Sequence, residues 1–177
     1  MSRLYLALAC LLLLTVVATS APAQMPVPKP APELSQLDYL AGDWILDGEM
    51  KPGAMGPGGK VTSTAHVYWM EGKFFLISDS KMTGALGDGA YLAVMGYDPD
   101  KKVYTYNDFS MGQVGHSEGT VSSDTWTWTS DENMGGQTIK GRYTMKILSP
   151  TSYTYKYEMS KDGTNWTTVM EGKAAKK

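Results

Sequence analysis

Short segments in which apolar and polar residues alternate run through most of this chain, beginning at Gly42-Asp43-Trp44 and ending near Met170. In residues 125–129, for example, Trp126 and Trp128 share one side and three threonines share the other. Alternation with a period of two is typical of β-strands, because successive side chains of a strand point to opposite faces of the sheet. The pattern therefore predicts strands that each have one apolar face.

Turn-forming residues separate these segments at short intervals, as at Glu71-Gly72 and Lys161-Asp162-Gly163. Connections this short join antiparallel neighbours in chain order. Closing such a meander removes its exposed edges. We therefore predict an all-β fold, an antiparallel up-and-down barrel of about ten strands with one short N-terminal helix. The predicted strands are 43–50, 60–70, 73–80, 89–97, 102–110, 113–121, 124–130, 137–148, 151–160 and 166–173.

Small residues recur within these predicted strands, namely Ala65, Ala90, Ala93, Gly96, Gly115, Gly119 and Gly141. A ten-strand barrel is wide, and small residues that face inward leave an interior cavity. Glycines can equally mark bends where a sheet coils. We favour the cavity over a filled barrel.

Residues 1–23 have the pattern of a secretory signal peptide, with Arg3 before an uncharged apolar run and small residues at Ala21-Pro22-Ala23. We expect cleavage before Gln24 and a mature protein that is periplasmic or extracellular, with no membrane span. Cys10 raises the alternative of a lipoprotein, but most of the apolar run follows this cysteine instead of preceding it.

The mature chain is expected to consist of a proline-rich linker at 24–35, a barrel domain at 36–173 and a tail at 174–177. Ser35 is predicted to cap the short helix, which ends at Ala41-Gly42. Cys10 is the only cysteine, so its loss with the signal leaves no disulfide and no thiolate. The formal net charge is −2 and becomes −3 without Arg3, which argues against nucleic acid as a partner.

Four groups of residues carry a resemblance to known barrels: residues 40–44, the loop 55–58, residues 95–99, and Lys161-Asp162-Gly163 with Trp166. Over roughly residues 36–172 the chain resembles the lipocalin and fatty-acid-binding-protein superfamily, and more closely an exported bacterial family called domain of unknown function 1579. The resemblance implies a calycin-type barrel closed at its base by Gly42 and Trp44. It implies no activity.

Arg142 is the only arginine after the signal segment. In lipocalins a basic side chain from a late strand lies over the tryptophan, and the resemblance makes Arg142 the candidate for that role over Trp44. Its strand position groups it with Lys140 and Lys146, which is typical of an outward, solvated arginine. A third alternative is an inward arginine that binds a ligand carboxylate bidentately.

His116 and Glu118 share a strand face, and Asp108 lies near the end of the preceding strand. A histidine beside a carboxylate is a candidate proton-transfer pair, with Asp108 as a third member. The alternative is a polar outer face, and the enzyme hypothesis fails in this form if His116 and Glu118 point outward.

No metal site is predicted, because the chain has two histidines and no metal-type spacing. No cofactor is expected, and haem and copper are left as the weaker alternatives. Haem-binding relatives use a histidine near the C-terminus, which residues 151–177 lack. Cu(I) would use thioethers, but Met50, Met55, Met82, Met111 and Met134 do not form a Met-x-x-Met cluster.

We predict an exported barrel, monomeric or weakly dimeric, that binds a small apolar or amphipathic molecule. Aromatic side chains supply contact area in such sites. The predicted ligand-binding residues are Trp69, Tyr91, Tyr104, Tyr106, Trp126, Trp128, Arg142, Tyr153, Tyr155 and Trp166. The alternatives are a barrel enzyme that uses the His116 and Glu118 pair, and an interaction or structural module with a filled barrel.

Overall fold

The computed structural model of the protein describes residues 28–53, 55–85 and 87–177. The predicted signal peptide at 1–23 and the first residues of the predicted linker lie outside the described residues. The described chain contains a 3-10 helix, Pro32–Leu40, and ten strands. The strands are β1 Gly42–Met50, β2 Gly59–Trp69, β3 Leu76–Gly84, β4 Gly89–Asp98, β5 Val103–Ser110, β6 Gln113–Ser122, β7 Thr125–Met134, β8 Gln137–Ser149, β9 Ser152–Ser160 and β10 Thr167–Lys176.

The ten strands form one closed antiparallel barrel in which each strand pairs with its neighbours in sequence, and β1 pairs with β10. Trp44 lies opposite Ala65 of β2 on one side and Lys176 of β10 on the other. Every strand edge therefore has a partner over at least part of its length. The predicted all-β up-and-down barrel with a short N-terminal helix is confirmed.

Several element boundaries differ from the sequence-based predictions. β10 continues to Lys176, so residues 174–176 belong to the barrel wall instead of a tail. β3 begins at Leu76 because Gly72 and Lys73 both have positive φ and extend the preceding turn. The helix begins at Pro32, and Ser35 does not cap it, since its hydroxyl donates a hydrogen bond to the carbonyl of Pro32 within the helix.

The helix closes one end of the barrel. Leu34 and Leu37 are buried against the aromatic core that includes Trp44, Tyr104 and Trp126. Three barrel side chains donate hydrogen bonds to the helix: Trp44 Nε1 to the Leu40 carbonyl at 2.7 Å, Tyr104 Oη to the Glu33 carbonyl at 3.0 Å, and Trp69 Nε1 to Asp38 Oδ1 at 2.7 Å. In the other direction, Tyr39 Oη of the helix donates to the Ser152 carbonyl at 2.9 Å. Apolar contact and specific hydrogen bonds together seal this end.

β6 and β7 separate toward the opposite end of the barrel. Their pairing runs only from Ser122 opposite Thr125 to Glu118 opposite Thr129. Beyond that point residues 113–117 pair only with β5, and residues 130–134 pair only with β8. We call the space between these two unpaired stretches the β6–β7 gap. Among the residues that the structure describes, no helix has the length and apolar character needed to cross a lipid bilayer.

Candidate functional site

A cavity of about 520 Å³ occupies the barrel interior between the helix-closed end and the opposite mouth. Pockets of this size hold small molecules in proteins. Aromatic side chains and methionines form most of its wall, with a few serines among them. The lining residues that carry the arguments below are Met50, Ala65, Met82, Tyr91, Tyr106, Asp108, Trp128, Ser130, Glu132, Tyr143, Met145, Tyr153, Tyr155 and Tyr157.

Strand alternation is what directs these rings inward. Trp128 stacks on Trp126 beneath it, with centroids 5.8 Å apart and an interplanar angle of 11°, and it meets Tyr106 edge to face at 5.6 Å. Tyr143 and Tyr155 stack at 5.7 Å. Each of these five rings packs against at least one other ring, so this part of the aromatic wall is preorganised.

Glycines in neighbouring strands make room for these inward side chains. A Cβ on Gly119 would overlap the ring of Trp128, and one on Gly115 would overlap the carboxylate of Asp108. A Cβ on Gly141 would overlap Ser130 Oγ and lie 2.9 Å from the Tyr157 hydroxyl. These three glycines thus accommodate particular side chains of the cavity wall, which the sequence pattern alone did not indicate.

One part of the wall is polar, and it lies where β6 and β7 separate. Asp108 comes from β5, Ser130 and Glu132 come from β7, and Tyr157 comes from β9. Ser130 Oγ donates a hydrogen bond to Glu132 Oε1 at 2.7 Å. Burial, together with the nearby Glu132 carboxylate, raises the pKa of Asp108. Burial, with Glu132 and Asp108 close by, raises the pKa of Tyr157 to about 12. We call these four residues the acidic pole.

Five of the predicted ligand-binding residues line the cavity: Tyr91, Tyr106, Trp128, Tyr153 and Tyr155. The other five do not. Tyr104 and Trp126 are buried in the core below the cavity, and Trp69 packs against the helix. Arg142 and Trp166 lie together on the outside of the barrel.

Arg142 points outward and interacts with neither Trp44 nor the cavity. Its Nε and Nη2 donate to Glu158 Oε2 at 3.0 and 2.8 Å, and its guanidinium lies 4.0 Å from the centroid of the Trp166 ring. The expected role over Trp44 belongs to another residue. Lys176 Nζ lies 5.0 Å from the Trp44 ring and 5.6 Å from the Tyr39 ring.

The sequence pattern does not point to Lys176, because it predicts a tail at residues 174–177. The available signal was a basic residue at the end of the last strand, which in a closed barrel comes beside the start of the first. Glu132 was missed for a similar reason. The sequence pattern predicts a strand that ends at Ser130, whereas β7 continues to Met134.

The predicted proton-transfer group is not assembled. His116 Nδ1 lies 2.8 Å from Asn107 Oδ1 on the outer face, and Glu118 accepts a hydrogen bond from Lys101 Nζ at 2.7 Å. Asp108 faces the cavity on the other side of the sheet. The hypothesis that these three residues act together is therefore wrong, because the wall of the barrel separates Asp108 from the pair.

Neither histidine of the described chain faces the cavity. His66 Nδ1 lies 2.7 Å from Asp43 Oδ1, and both side chains are exposed. No group of three or more His, Cys, Asp or Glu side chains converges within the described ranges. Met50, Met55 and Met82 line the cavity, whereas Met111 and Met134 are exposed. The five methionines considered for Cu(I) therefore do not come together.

Solved structures with a similar fold include the following two. The match to the crystal structure of Rv2717c from M. tuberculosis has 12% sequence identity and a TM-score of 0.57, and covers 84% of this chain and 99% of that one. The match to the S-type phycobiliprotein lyase CPES from Guillardia theta has 8% identity and a TM-score of 0.56, and covers 81% and 91% of the two chains. At these identities the likeness shows the fold alone.

A comparison with curated proteins finds no significant match. The model of one family, described as "Protein of unknown function (DUF1579)", matches residues 29–176. This range contains the helix and all ten strands. The resemblance carried by residues 40–44 and the later groups is thereby confirmed, and the chain belongs to the DUF1579 family.

Proposed function

We propose that this protein binds a small, largely apolar or amphipathic molecule inside its barrel. The observation that supports the proposal is the cavity of about 520 Å³, whose wall is mainly aromatic rings and methionine side chains. Rigid rings supply contact area at low entropic cost, while methionines adapt to irregular shapes. A filled barrel would lack this space.

A structural relative supports the proposal by example. The barrel from Guillardia theta is named a phycobiliprotein lyase, so a similar fold serves a protein that acts on another molecule. Neither the identity of the ligand nor a reaction follows from a likeness of fold. With His116 and Glu118 on the outer face, binding is favoured over catalysis by that pair.

Binding can be measured with the neutral fluorophore N-phenyl-1-naphthylamine, which brightens in apolar surroundings. We expect saturable binding by the wild-type protein. Ala65→Phe places a ring inside the cavity and should weaken binding about tenfold or more, since occupied space is lost to the probe. Thr64→Phe is the matched control, because Thr64 is exposed on the outer face of the same strand.

Two results would contradict the proposal: no saturable binding by a folded wild-type protein, or equal loss in both phenylalanine variants. Native mass spectrometry of protein purified from its own source gives an independent readout. A bound molecule that is absent from Ala65→Phe would support the proposal, and the same spectrum reports whether the protein is a monomer or dimer.

We further propose that the chain is exported, on the basis of the charge and apolar pattern of residues 1–23. Expression of the full chain in a bacterium, followed by fractionation, tests this. We expect the processed protein outside the cytoplasm, and cytoplasmic retention of a Leu12→Arg variant, which interrupts the apolar run. Unprocessed wild-type protein in the cytoplasm would refute export.

A further inference from the structure

The cavity wall carries negative charge without a basic residue to balance it. Asp108 and Glu132 both line the cavity, and among its described lining residues none is lysine, arginine or histidine. Neither carboxylate takes part in any ion pair of the described chain. Some carboxylates of the outer surface, namely Glu118, Asp131 and Glu158, do have a basic partner.

Leaving two carboxylates unpaired in a partly buried site is costly, because burial removes water and the two charges repel each other. Both effects act on Asp108, because burial and the nearby Glu132 carboxylate each raise its pKa. The carboxylates nevertheless sit in prepared positions. Gly115 leaves room for Asp108, and Gly141 leaves room for Ser130, whose hydroxyl donates to Glu132 at 2.7 Å.

Aromatic rings lie directly below this polar layer. Tyr106 is two residues before Asp108 on the same face of β5, and Trp128 is two residues before Ser130 on the same face of β7. The two rings meet edge to face, with their centroids 5.6 Å apart. Carboxylates combined with the faces of aromatic rings form the chemistry that binds organic cations, through ion pairing and cation–π attraction.

The β6–β7 gap is at the same level of the barrel. Pairing between the two strands stops at Glu118 and Thr129, one residue before the cavity-lining Ser117 and Ser130. The backbone edges of residues 113–117 and 130–134 that face each other have no strand partner there. A head group at the acidic pole would therefore lie beside an opening, while an apolar body extends inward among the rings.

We infer that the ligand of this barrel is an amphipathic organic cation, an amine or quaternary ammonium compound whose charged group binds between Asp108 and Glu132. This inference rests on the proposed function and names the class of ligand that the site takes. Tyr106 and Trp128 offer ring surfaces to the charged group, and the deeper wall around Met145 and Tyr153 contacts the apolar part.

The test compares three probes with the same ten-carbon chain: decyltrimethylammonium, decanol and decanoate. Each is titrated against protein loaded with N-phenyl-1-naphthylamine, at neutral pH and below its micelle concentration. We expect the cation to displace the fluorophore at about tenfold lower concentration than decanol, because an ion pair in a partly buried site outweighs its desolvation only modestly. Decanoate should be the weakest of the three.

The double variant Asp108→Asn/Glu132→Gln should lose this preference while its affinity for decanol stays within about twofold of wild type, since shape and apolar area are retained. Asp79→Asn/Glu71→Gln is the matched control, because it makes the same change in net charge at exposed positions. The single variants Asp108→Asn and Glu132→Gln give the same readout if the double variant does not fold.

Each outcome decides the inference. Binding of decanol without any advantage for decyltrimethylammonium overturns it and leaves the proposed function standing. A preference for decanoate, or a cation preference that persists in the double variant, also overturns it. Failure of all three probes and of the fluorophore overturns both the inference and the proposed function.

Discussion

At the scale of single residues, Glu158 illustrates how the outer surface of this barrel holds a buried charge. Its side chain is only 8% exposed, and it accepts hydrogen bonds from Arg142 at 2.8 Å and Lys156 at 2.7 Å. Burial alone would raise its pKa, but the bonds from Lys156 and Arg142 hold the pKa of Glu158 below its usual range. Arg142 in turn covers the ring of Trp166, so one guanidinium joins β8, β9 and the loop between β9 and β10.

Arg142→Ala should lower the free energy of unfolding by about 1–3 kcal/mol. The variant leaves Glu158 buried with one basic partner instead of two, and it removes the cation–π contact to Trp166. Urea unfolding measures the change. Lys140→Ala is the control, since Lys140 pairs with Asp131 in an exposed ion pair worth under about 1 kcal/mol. Equal effects of the two substitutions would contradict this account.

At the scale of elements, the N-terminal helix acts as the base of the barrel. Leu37 is fully buried, and the helix receives hydrogen bonds from Trp44, Trp69 and Tyr104. A nine-residue helix has little stability of its own, so the barrel core is what keeps it in place. Apolar packing and hydrogen bonds therefore fix the base to the barrel, whereas at the opposite end β6 and β7 do not pair with each other.

Leu37→Ala should destabilise the protein by about 2–4 kcal/mol, because it leaves a cavity between the helix and the aromatic core. Chemical denaturation measures this cost. Gln36→Ala, at an exposed position of the same helix, should change stability by less than about 0.5 kcal/mol. A small effect of Leu37→Ala would mean that the helix does not contribute to the folded core.

The β6–β7 gap predicts a local pattern of hydrogen exchange. Backbone amides of residues 113–117 and 130–134 that face the gap lack a strand partner, so they should exchange faster than amides of residues 118–122 and 125–129. Nuclear magnetic resonance resolves the individual amides. Addition of decyltrimethylammonium should slow exchange at the gap. Uniform protection along both strands would show that the ladder closes fully in solution.

At the scale of the whole molecule, the interior tyrosines link the cavity to stability. Tyr106, Tyr143, Tyr153 and Tyr157 line it, and burial raises the pKa of each phenol. A neutral phenol is therefore the form that the folded barrel accommodates. Charge on any of these hydroxyls disfavours the folded state.

Alkaline titration should expose this linkage. An unfolded tyrosine ionises near pH 10, below its folded pKa, so the stabilising contribution is complete below about pH 10 and is lost as pH rises through the folded values. The pKa of Tyr157, about 12, lies in the accessible range. Urea unfolding between pH 7 and pH 12, with tyrosinate absorbance at 295 nm, measures it. Ionisation of all tyrosines near pH 10 without loss of circular dichroism would contradict the prediction.

The alternation of residues 125–129, and of the segments like it, is enough to predict the barrel. Period-two patterning and short turns are local signals, so strand number, antiparallel order and the position of the helix can be predicted from the chain alone. The same signals place Tyr91, Tyr106, Trp128, Tyr153 and Tyr155 on apolar faces. For the same reason strand ends are the weakest part of the prediction, as at Ser130 and Lys173.

Only the tertiary structure decides which face of each strand points into the barrel and which side chains meet across it. Alternation predicts which residues share a strand face with Asp108 or with His116, but only closure of the barrel determines which of the two faces is inside. Closure also brings Lys176 to Trp44, across more than 130 residues of chain, and brings Asp108 of β5 toward Glu132 of β7. Such contacts depend on register around the whole ring of strands. The sequence by itself therefore determined the barrel fold, whereas the acidic pole and the outward position of Arg142 depend on the closure of the barrel and the register of its strands.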